Sequence, residues 1–367
     1  MHPKMRKNPN LMLLPLAGLL ALSCGKVGPA GGVQPLSAGD EVTLTVRLGA
    51  PATKVVAQTA TNEKMIRNVQ VFVFRAGPGA DAGNLEIAAS AGFNAELEVS
   101  SGSYDALTLK CSTGQREVWA VVNDSRDRTA GADAVTTKEE LLAQTHPLAD
   151  SRKDKLLMCG ASDVLTLREG KEEIRLDVHR LAASVVLQSV KNDFSSPAYQ
   201  KPGVFRVEDC YLLNVPGRIR LDGGIEPAAL PSEAWLARMA AEKAVCEPGL
   251  IYDKVEPKLL DYGSTDTTPH AFYSYPNDCE LAEDASWGPR ATLLVLEASL
   301  YNGTDWTKYY YPVALTGGLV SNRQYSVALT IHRPGSLDPN IPVRFDDVTP
   351  VIQVSDWETG DAYDREI

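Results

Sequence analysis

Alternation of apolar and polar residues is the clearest pattern along the chain, and it is most regular near the N-terminus. Every second residue there is aliphatic, namely Val42, Leu44, Val46 and Leu48. The residues between them are polar. A period of two is typical of a strand that buries one face. The pattern therefore predicts a half-buried strand over 42–48.

Further strands are predicted where apolar or alternating segments lie between Gly- and Pro-rich turns. Val69–Phe74 is apolar on nearly both sides, which indicates a central strand. A capping-box pattern at Thr137 predicts a short helix, and Ser232–Lys243 has the pattern of an amphipathic helix with Ser232 as N-cap. The other predicted strands are Val118–Val122, Ile174–Val178, Leu181–Val190, Val207–Val215, Ala291–Leu300, Tyr309–Leu315, Tyr325–Ile331 and Val351–Trp357.

Strands dominate this pattern and helices are few, so the sequence predicts an all-β fold of two tandem β-sandwich domains. A chain of 367 residues is long enough for two such cores. We expect the boundary near His179-Arg180. This divides the folded part into an N-terminal domain over 40–179 and a C-terminal domain over 180–367.

The first 39 residues have the pattern of an export signal followed by a tether. An apolar run, Leu11–Leu22, follows three basic residues, Lys4, Arg6 and Lys7. A membrane span needs about 20 apolar residues, so the shorter run predicts a cleaved signal peptide over 1–23. Cys24 follows Leu22-Ser23, which is similar to a bacterial lipobox and predicts acylation of Cys24. The Gly- and Pro-rich segment 24–39 would then be a flexible tether. A signal peptide with an incidental cysteine is the alternative.

Net charge excludes one class of partner. The whole chain carries −11, and removal of a leader with three positive charges leaves −14. Nucleic acid requires a basic face for its phosphates, so it is not a predicted partner. An acidic protein surface is also not expected to bind anionic lipids. The acyl chain on Cys24, and not the protein surface, would therefore attach the protein to the membrane.

The remaining cysteines show no metal-binding or redox spacing. They are Cys111, Cys159, Cys210, Cys246 and Cys279. Zinc sites need clustered thiolates and imidazoles, so no metal is predicted. Disulfides occur in exported proteins, but buried unpaired thiols fit the sequence equally well. The pairing therefore stays open.

No constellation of residues indicates catalysis or a cofactor. Gly77–Ala82 is rich in glycine and follows a strand, but the sequence continues as a turn and not as the helix that a dinucleotide fingerprint needs. The five histidines are scattered, and the chain contains no G-x-S-x-G, H-E-x-x-H or P-loop sequence. The sequence predicts neither an enzyme nor a bound cofactor.

The first strand is a candidate for removal by a protease. The strand is followed by a Thr/Ala-rich connection that contains Lys54. Arg47 lies near the end of the strand, next to this connection. A trypsin-like cut at either residue would release the strand and leave a groove with unpaired backbone groups. Another strand could fill this groove by β-augmentation. Four buried aliphatic side chains contribute roughly 6–12 kcal/mol before entropy costs. An ordinary first strand that never leaves fits the same pattern.

Several short segments, in a fixed order along the chain, are similar to those of a known protein family. They are Leu22–Cys24, Asn68–Phe74, Val118–Asn123, Val178–Ala183, Tyr211–Val215, Lys308–Val313, Asn322–Tyr325, Leu329–Ile331, Pro334–Ser336 and Val354–Trp357. In these segments the chain resembles the fimbrillin family of Bacteroidales, which are lipoprotein precursors of type V pili.

The resemblance implies two transthyretin-like Greek-key domains, export as a lipoprotein to the outer membrane, and proteolytic removal of the first strand. A neighbouring fimbrial subunit would fill the groove, in a homo- or hetero-polymer at the cell surface. The candidate donor is the segment 350–367, with Ile352, Val354 and Trp357. By position, the family's cleavage point falls at Lys54, with Arg47 as second choice. The family usually has an arginine there, and an Arg-specific protease would not cut at Lys54.

The role within the pilus stays open, although a polymerising subunit is favoured. The alternative is an uncleaved surface lipoprotein, either a glycan-binding protein or tip adhesin with a host or bacterial ligand, or a fimbrial membrane anchor. A glycan-binding protein would group exposed aromatic residues in one groove. The candidates for that groove are Trp235, Trp287, Trp306 and Tyr309–Tyr311. A surface hydrolase would need a clustered acid–base or metal site.

Overall fold

β-Strands make up most of the regular structure. The computed structural model describes residues 40–49, 62–100, 103–238, 249–253, 255–281, 287–343, 346–357 and 362–363. The predicted signal peptide, the tether with Cys24, the connection with Lys54, and Cys246 lie outside these residues. Within the described ranges, no helix is long and apolar enough to cross a membrane.

The N-terminal strands form two main sheets that face each other across an aliphatic core. One has the order β4-β1-β9, and the other has the order β10-β7-β5-β2-β3, with β8 also paired to β5. The strands are β1 (Glu41–Gly49), β2 (Val69–Arg75), β3 (Leu85–Ala91), β4 (Ser103–Ser112), β5 (Gly114–Val122), β6 (Thr145–Pro147), β7 (Met158–Ala161), β8 (Leu165–Leu167), β9 (Gly170–Asp177) and β10 (His179–Arg180).

The C-terminal strands form a second pair of sheets. One has the order β18-β11-β22-β23-β24, with β19 on β11, and the other β16-β12-β20-β21, with β17 on β12. The strands are β11 (Ala183–Asn192), β12 (Phe205–Leu213), β13 (Val215–Pro216), β14 (Arg218–Arg220), β15 (Trp235–Leu236), β16 (Tyr252–Asp253), β17 (Lys258–Leu259), β18 (Thr265–Asp266), β19 (His270–Ser274), β20 (Leu293–Tyr301), β21 (Trp306–Ala314), β22 (Arg323–Ile331), β23 (Val348–Asp356) and β24 (Ala362–Tyr363).

Each strand predicted from the sequence overlaps an observed one. β2 lies between β5 and β3, and its residues Val69–Phe74 are all buried, which confirms the prediction of a central strand. Gly77–Ala82 lies in the turn of the β2–β3 hairpin, as expected. The helix α1 (Lys138–Ala143) begins with the predicted capping box. The Thr137 hydroxyl accepts from the Glu140 amide at 3.1 Å, and the Glu140 carboxylate accepts from the Thr137 amide at 3.2 Å.

The predicted amphipathic helix over Ser232–Lys243 is wrong in its described part. Ser232–Ala234 is a single 3₁₀ turn whose N-cap is Pro231, and β15 follows it directly. Trp235 is buried and pairs with Pro216 of β13, so tertiary pairing outweighs the helical pattern. Ala237 then adopts a positive φ of 49°, which a continuing helix does not allow.

Two hydrophobic cores run through the described residues. The smaller core contains the inward side chains of β1 together with residues of β2, β4, β5 and β9. The larger core contains C-terminal residues together with Phe72, Phe74 and Val121 from the opposite face of the N-terminal sheet. A short ladder between β6 and β14 also joins the N- and C-terminal strands. No residue of β1 belongs to the larger core, so loss of β1 would directly affect only the smaller one.

Candidate functional site

β1 lies inside its sheet and not at an edge. It pairs antiparallel with β4 and parallel with β9, so that Leu44 is opposite both Leu109 and Glu172. The parallel partner is far away in the sequence, because β9 begins at Gly170. Both backbone edges of β1 are therefore occupied. Its removal would leave a groove bounded by the open edges of β4 and β9.

The four aliphatic side chains of β1 fill the floor of this groove. Val42, Leu44 and Val46 are fully buried, and Leu48 is 2% exposed. They belong to one core with aliphatic residues of the facing sheet: Val69, Val71, Val73, Val118 and Val122. These four residues are those that the sequence predicted as the core of an exchangeable strand. Their burial is observed, whereas their exchange stays a prediction.

Arg47 lies on the outward face of β1 and is held there by an ion pair. Its Nε lies 2.7 Å from Oε1 of Glu173, and the two side chains are 48% and 57% exposed. Exposed pairs of this kind are worth about 0–1 kcal/mol. The backbone of Arg47 pairs with Arg175 in the parallel ladder. A protease would therefore have to detach β1 before it could cut there.

Glu63 lies just after the undescribed connection 50–61 and is almost fully buried. Its carboxylate accepts a hydrogen bond from the Tyr273 hydroxyl and another, of 3.1 Å, from the Trp357 indole Nε1. Its backbone carbonyl accepts from Nη2 of Arg180 at 3.1 Å. Burial raises the pKa of Glu63 above its ordinary value, while these donors and the charge of Arg180 oppose the shift. The segment that follows the predicted cleavage loop is thus fastened to the C-terminal half.

Replacing Glu63 by glutamine should change how stability depends on pH. The pKa of Glu63 is higher in the folded chain than in the unfolded chain. Its contribution to stability is therefore fully present below the unfolded value of about 4.3 and is lost as pH rises through the folded value. Glu63→Gln removes this titration. The stability advantage of the wild type over the variant should decrease from about pH 4 to pH 7 in urea unfolding, and a constant difference would contradict the assignment.

The candidate donor residues are part of this chain's own core. Ile352 and Val354 are each 8% exposed and pair with Val327 and Tyr325 of β22. Trp357 is 1% exposed, stacks on Tyr273 at a centroid distance of 5.9 Å, and has the Arg180 guanidinium 4.5 Å from its ring centre. To act as a donor, β23 would have to leave β22. Most of the tail beyond Trp357 lies outside the described residues, so its use as a donor stays a prediction.

The described cysteines are not joined by disulfides. Cys111, Cys159 and Cys210 are buried and Cys279 is half-buried. Burial raises the pKa of the Cys111 thiol to about 12, so it is protonated at neutral pH and unreactive. In the part of the chain that the structure describes, no group of three or more His, Cys, Asp or Glu residues is arranged to hold a metal ion.

The aromatic residues of the alternative glycan-binding hypothesis differ in exposure. Trp235 is 3% exposed and lies 5.8 Å from Trp287 between ring centres, and Tyr311 is fully buried. Trp306 is 38% exposed and lies beside Tyr301, with the Arg206 guanidinium 4.4 Å from its ring centre. Burial prevents Trp235 and Tyr311 from presenting a ring face to a sugar.

Comparisons with known proteins agree with this architecture. Residues 41–188 match the family model of the major fimbrial subunit protein, FimA. Over these residues the chain is similar to the fimbrillin family. No curated protein sequence matches it significantly.

Solved structures of similar fold cover most of this chain. A candidate cell adhesion protein from Bacteroides eggerthii has a TM-score of 0.61 at 20% identity, over 88% of this chain and 97% of its own. A fimbrilin from Porphyromonas gingivalis W83 has a TM-score of 0.58 at 15% identity, over 87% of this chain and 98% of its own. At these identities the likeness shows the fold, and it confirms the predicted all-β class.

The family match also bears on the coarse function. Members of this family are structural fimbrial subunits and not enzymes, and they assemble with other fimbrial subunits into a fimbrium at the cell surface. The match therefore supports a function as a fimbrial subunit. Sequence reasoning did not identify Glu63 and Arg180 as residues of the site. Both are charged residues, which are usually exposed, and only the tertiary structure buries them.

Proposed function

We propose that the protein is exported as a lipoprotein acylated at Cys24 and delivered to the outer membrane, and that it matures by losing its first strand. A trypsin-like protease cuts the connection after β1, and the lipid, the tether and β1 leave together. The groove between β4 and β9 then receives a strand from another subunit. The segment 350–367 in turn supplies a strand to a different groove, and each subunit keeps two sandwich domains divided near residue 180.

The position of β1 is the observation that carries this proposal. A strand that pairs on both edges and supplies four buried aliphatic side chains leaves a complete receptor for another strand when it is removed. The larger core contains none of its residues. The rest of the fold can therefore persist while the groove is empty.

Lys54 is the better cleavage site of the two candidates. Proteases bind their substrates as extended segments without other strand partners, and Arg47 is paired with both a neighbouring backbone and Glu173. A cut at Arg47 would also leave Leu48, which is part of the groove core, on the retained side of the chain. A cut at Lys54 leaves the whole of β1 on the departing side.

Limited trypsin digestion of the protein without its signal peptide tests the proposal. Beyond the tether, which contains the trypsin site Lys26, we expect the first cut at Lys54, identified by intact mass. In mild urea the severed N-terminal fragment should dissociate, and a labelled peptide with the sequence of residues 41–49 should replace it. Lys54→Gln should remove the first cut, whereas the matched control Arg47→Gln should leave it unchanged.

Two results would contradict the proposal. One is a chain that resists cleavage between β1 and Asn62 under these conditions. The other is a cut chain that neither releases the fragment nor takes up the labelled peptide. Either result would favour a lipid-retaining membrane anchor or a glycan-binding lipoprotein.

A further inference from the structure

The groove left by β1 imposes a specific pattern on any strand that fills it. Four alternate side chains must point into the smaller core, where Val42, Leu44, Val46 and Leu48 are at most 2% exposed. Both edges of the inserted strand must also pair, since β1 forms ladders with β4 and with β9 along its length. A charged residue at an inward position would be buried without a partner, and a proline would lack the N–H that one ladder needs.

The C-terminal segment of this chain does not meet this requirement. Its longest apolar alternation is Val348, Pro350, Ile352 and Val354, and the second of these four positions is proline. If the four inward positions are moved two residues toward the C-terminus, they become Pro350, Ile352, Val354 and Asp356, and the last of these is charged. The opposite face of the same segment carries Gln353 and Ser355. Beyond Trp357 the sequence is acidic, with Glu358, Asp361, Asp364 and Glu366.

Pro350 fits its present position because, among the residues that the structure describes, only one edge of β23 is paired there. It lies opposite Leu329 of β22, whereas the pairs between β23 and β24 involve only Val354 and Ser355. Proline is tolerated at such an edge. Between β4 and β9 the same residue would have a neighbouring strand on each side, and one hydrogen bond would be missing.

We infer that the groove of this subunit receives its strand from a different polypeptide and not from a second copy of this chain. The incoming segment carries aliphatic residues at four alternate positions, without proline between them and without charge on the inward face. The C-terminal segment of this chain then serves a groove of different shape. The inference rests on the proposed removal of β1 and names the partner of the resulting groove.

Competition among labelled peptides on the trypsin-cut full chain tests this inference. The first peptide has the sequence of residues 41–49, the second that of residues 346–357, and the third is the second with Pro350→Val. The third restores four aliphatic residues and the missing N–H. We expect the first and third peptides to bind. The second should bind at least about tenfold more weakly than the third, because it lacks a hydrogen bond and a well-filled pocket.

The outcomes separate this inference from the proposed function. If the native peptide 346–357 binds as tightly as its Pro350→Val form, or if the cut chain alone forms SDS-resistant ladders, strand removal is supported and the inference is overturned. If even the peptide 41–49 does not bind, the proposed removal of β1 is overturned, and the inference with it. A cut chain that stays monomeric on native gels, yet takes up peptide 41–49, is the result we expect.

Discussion

Replacing Leu44 by alanine is expected to lower the free energy of unfolding by about 2–5 kcal/mol. Leu44 is fully buried at the centre of β1, and the substitution removes side-chain atoms from the smaller core and leaves a cavity there. The precursor should therefore be less stable, and the severed N-terminal fragment should dissociate in less urea than the wild-type fragment. Urea unfolding of the uncut chain and fragment release from the cut chain measure the two effects.

Thr45→Ala is the matched control for Leu44→Ala. Thr45 is the next residue of the same strand, lies on its outward face and is only half-buried. Its replacement should change stability by about 0.5 kcal/mol or less. Equal effects of the two substitutions would mean that the inward face of β1 does not carry the binding energy of the strand.

Replacing Trp357 by alanine is expected to cost about 3–5 kcal/mol. The indole is 1% exposed, stacks on Tyr273 and donates to the buried carboxylate of Glu63. Its loss removes a large apolar surface and leaves that carboxylate with one donor fewer. Thermal or urea unfolding measures the loss, and hydrogen exchange should rise first in β23.

Trp306→Ala provides the control for this second prediction. It removes the same side chain from a position that is 38% exposed. We expect a loss well below that of Trp357→Ala, since less apolar surface leaves the protein interior. Comparable losses would show that the end of β23 is not anchored by its tryptophan.

Local sequence pattern predicts the strands because their periodicity is a property of neighbouring residues. The alternation of Val42, Leu44, Val46 and Leu48 indicates both the strand and its buried face. It does not reveal that β1 lies between two strands. The parallel partner β9 lies more than 100 residues further on, and nothing within 42–48 specifies that pairing.

The same limit explains the two failures of the sequence analysis. Trp235 belongs to a segment with helical periodicity, but it pairs with Pro216, and this distant contact decides its structure. Glu63 looks like a solvated residue in a polar segment. Its burial results from contacts with Tyr273 and Trp357, each more than 200 residues away in the sequence.

The position of β1 between two strands also has a mechanical consequence. Cross-strand hydrogen bonds lie perpendicular to the strands in the antiparallel β1–β4 ladder and are slanted in the parallel β1–β9 ladder, so both ladders run across the strand axis. A force along the axis of a strand held on both edges therefore loads all of these bonds at the same time. A strand peeled from the edge of a sheet breaks them one after another and resists less. A partner strand in the place of β1 would be loaded in shear by a pull along its own axis, which is the stronger direction for a joint between subunits.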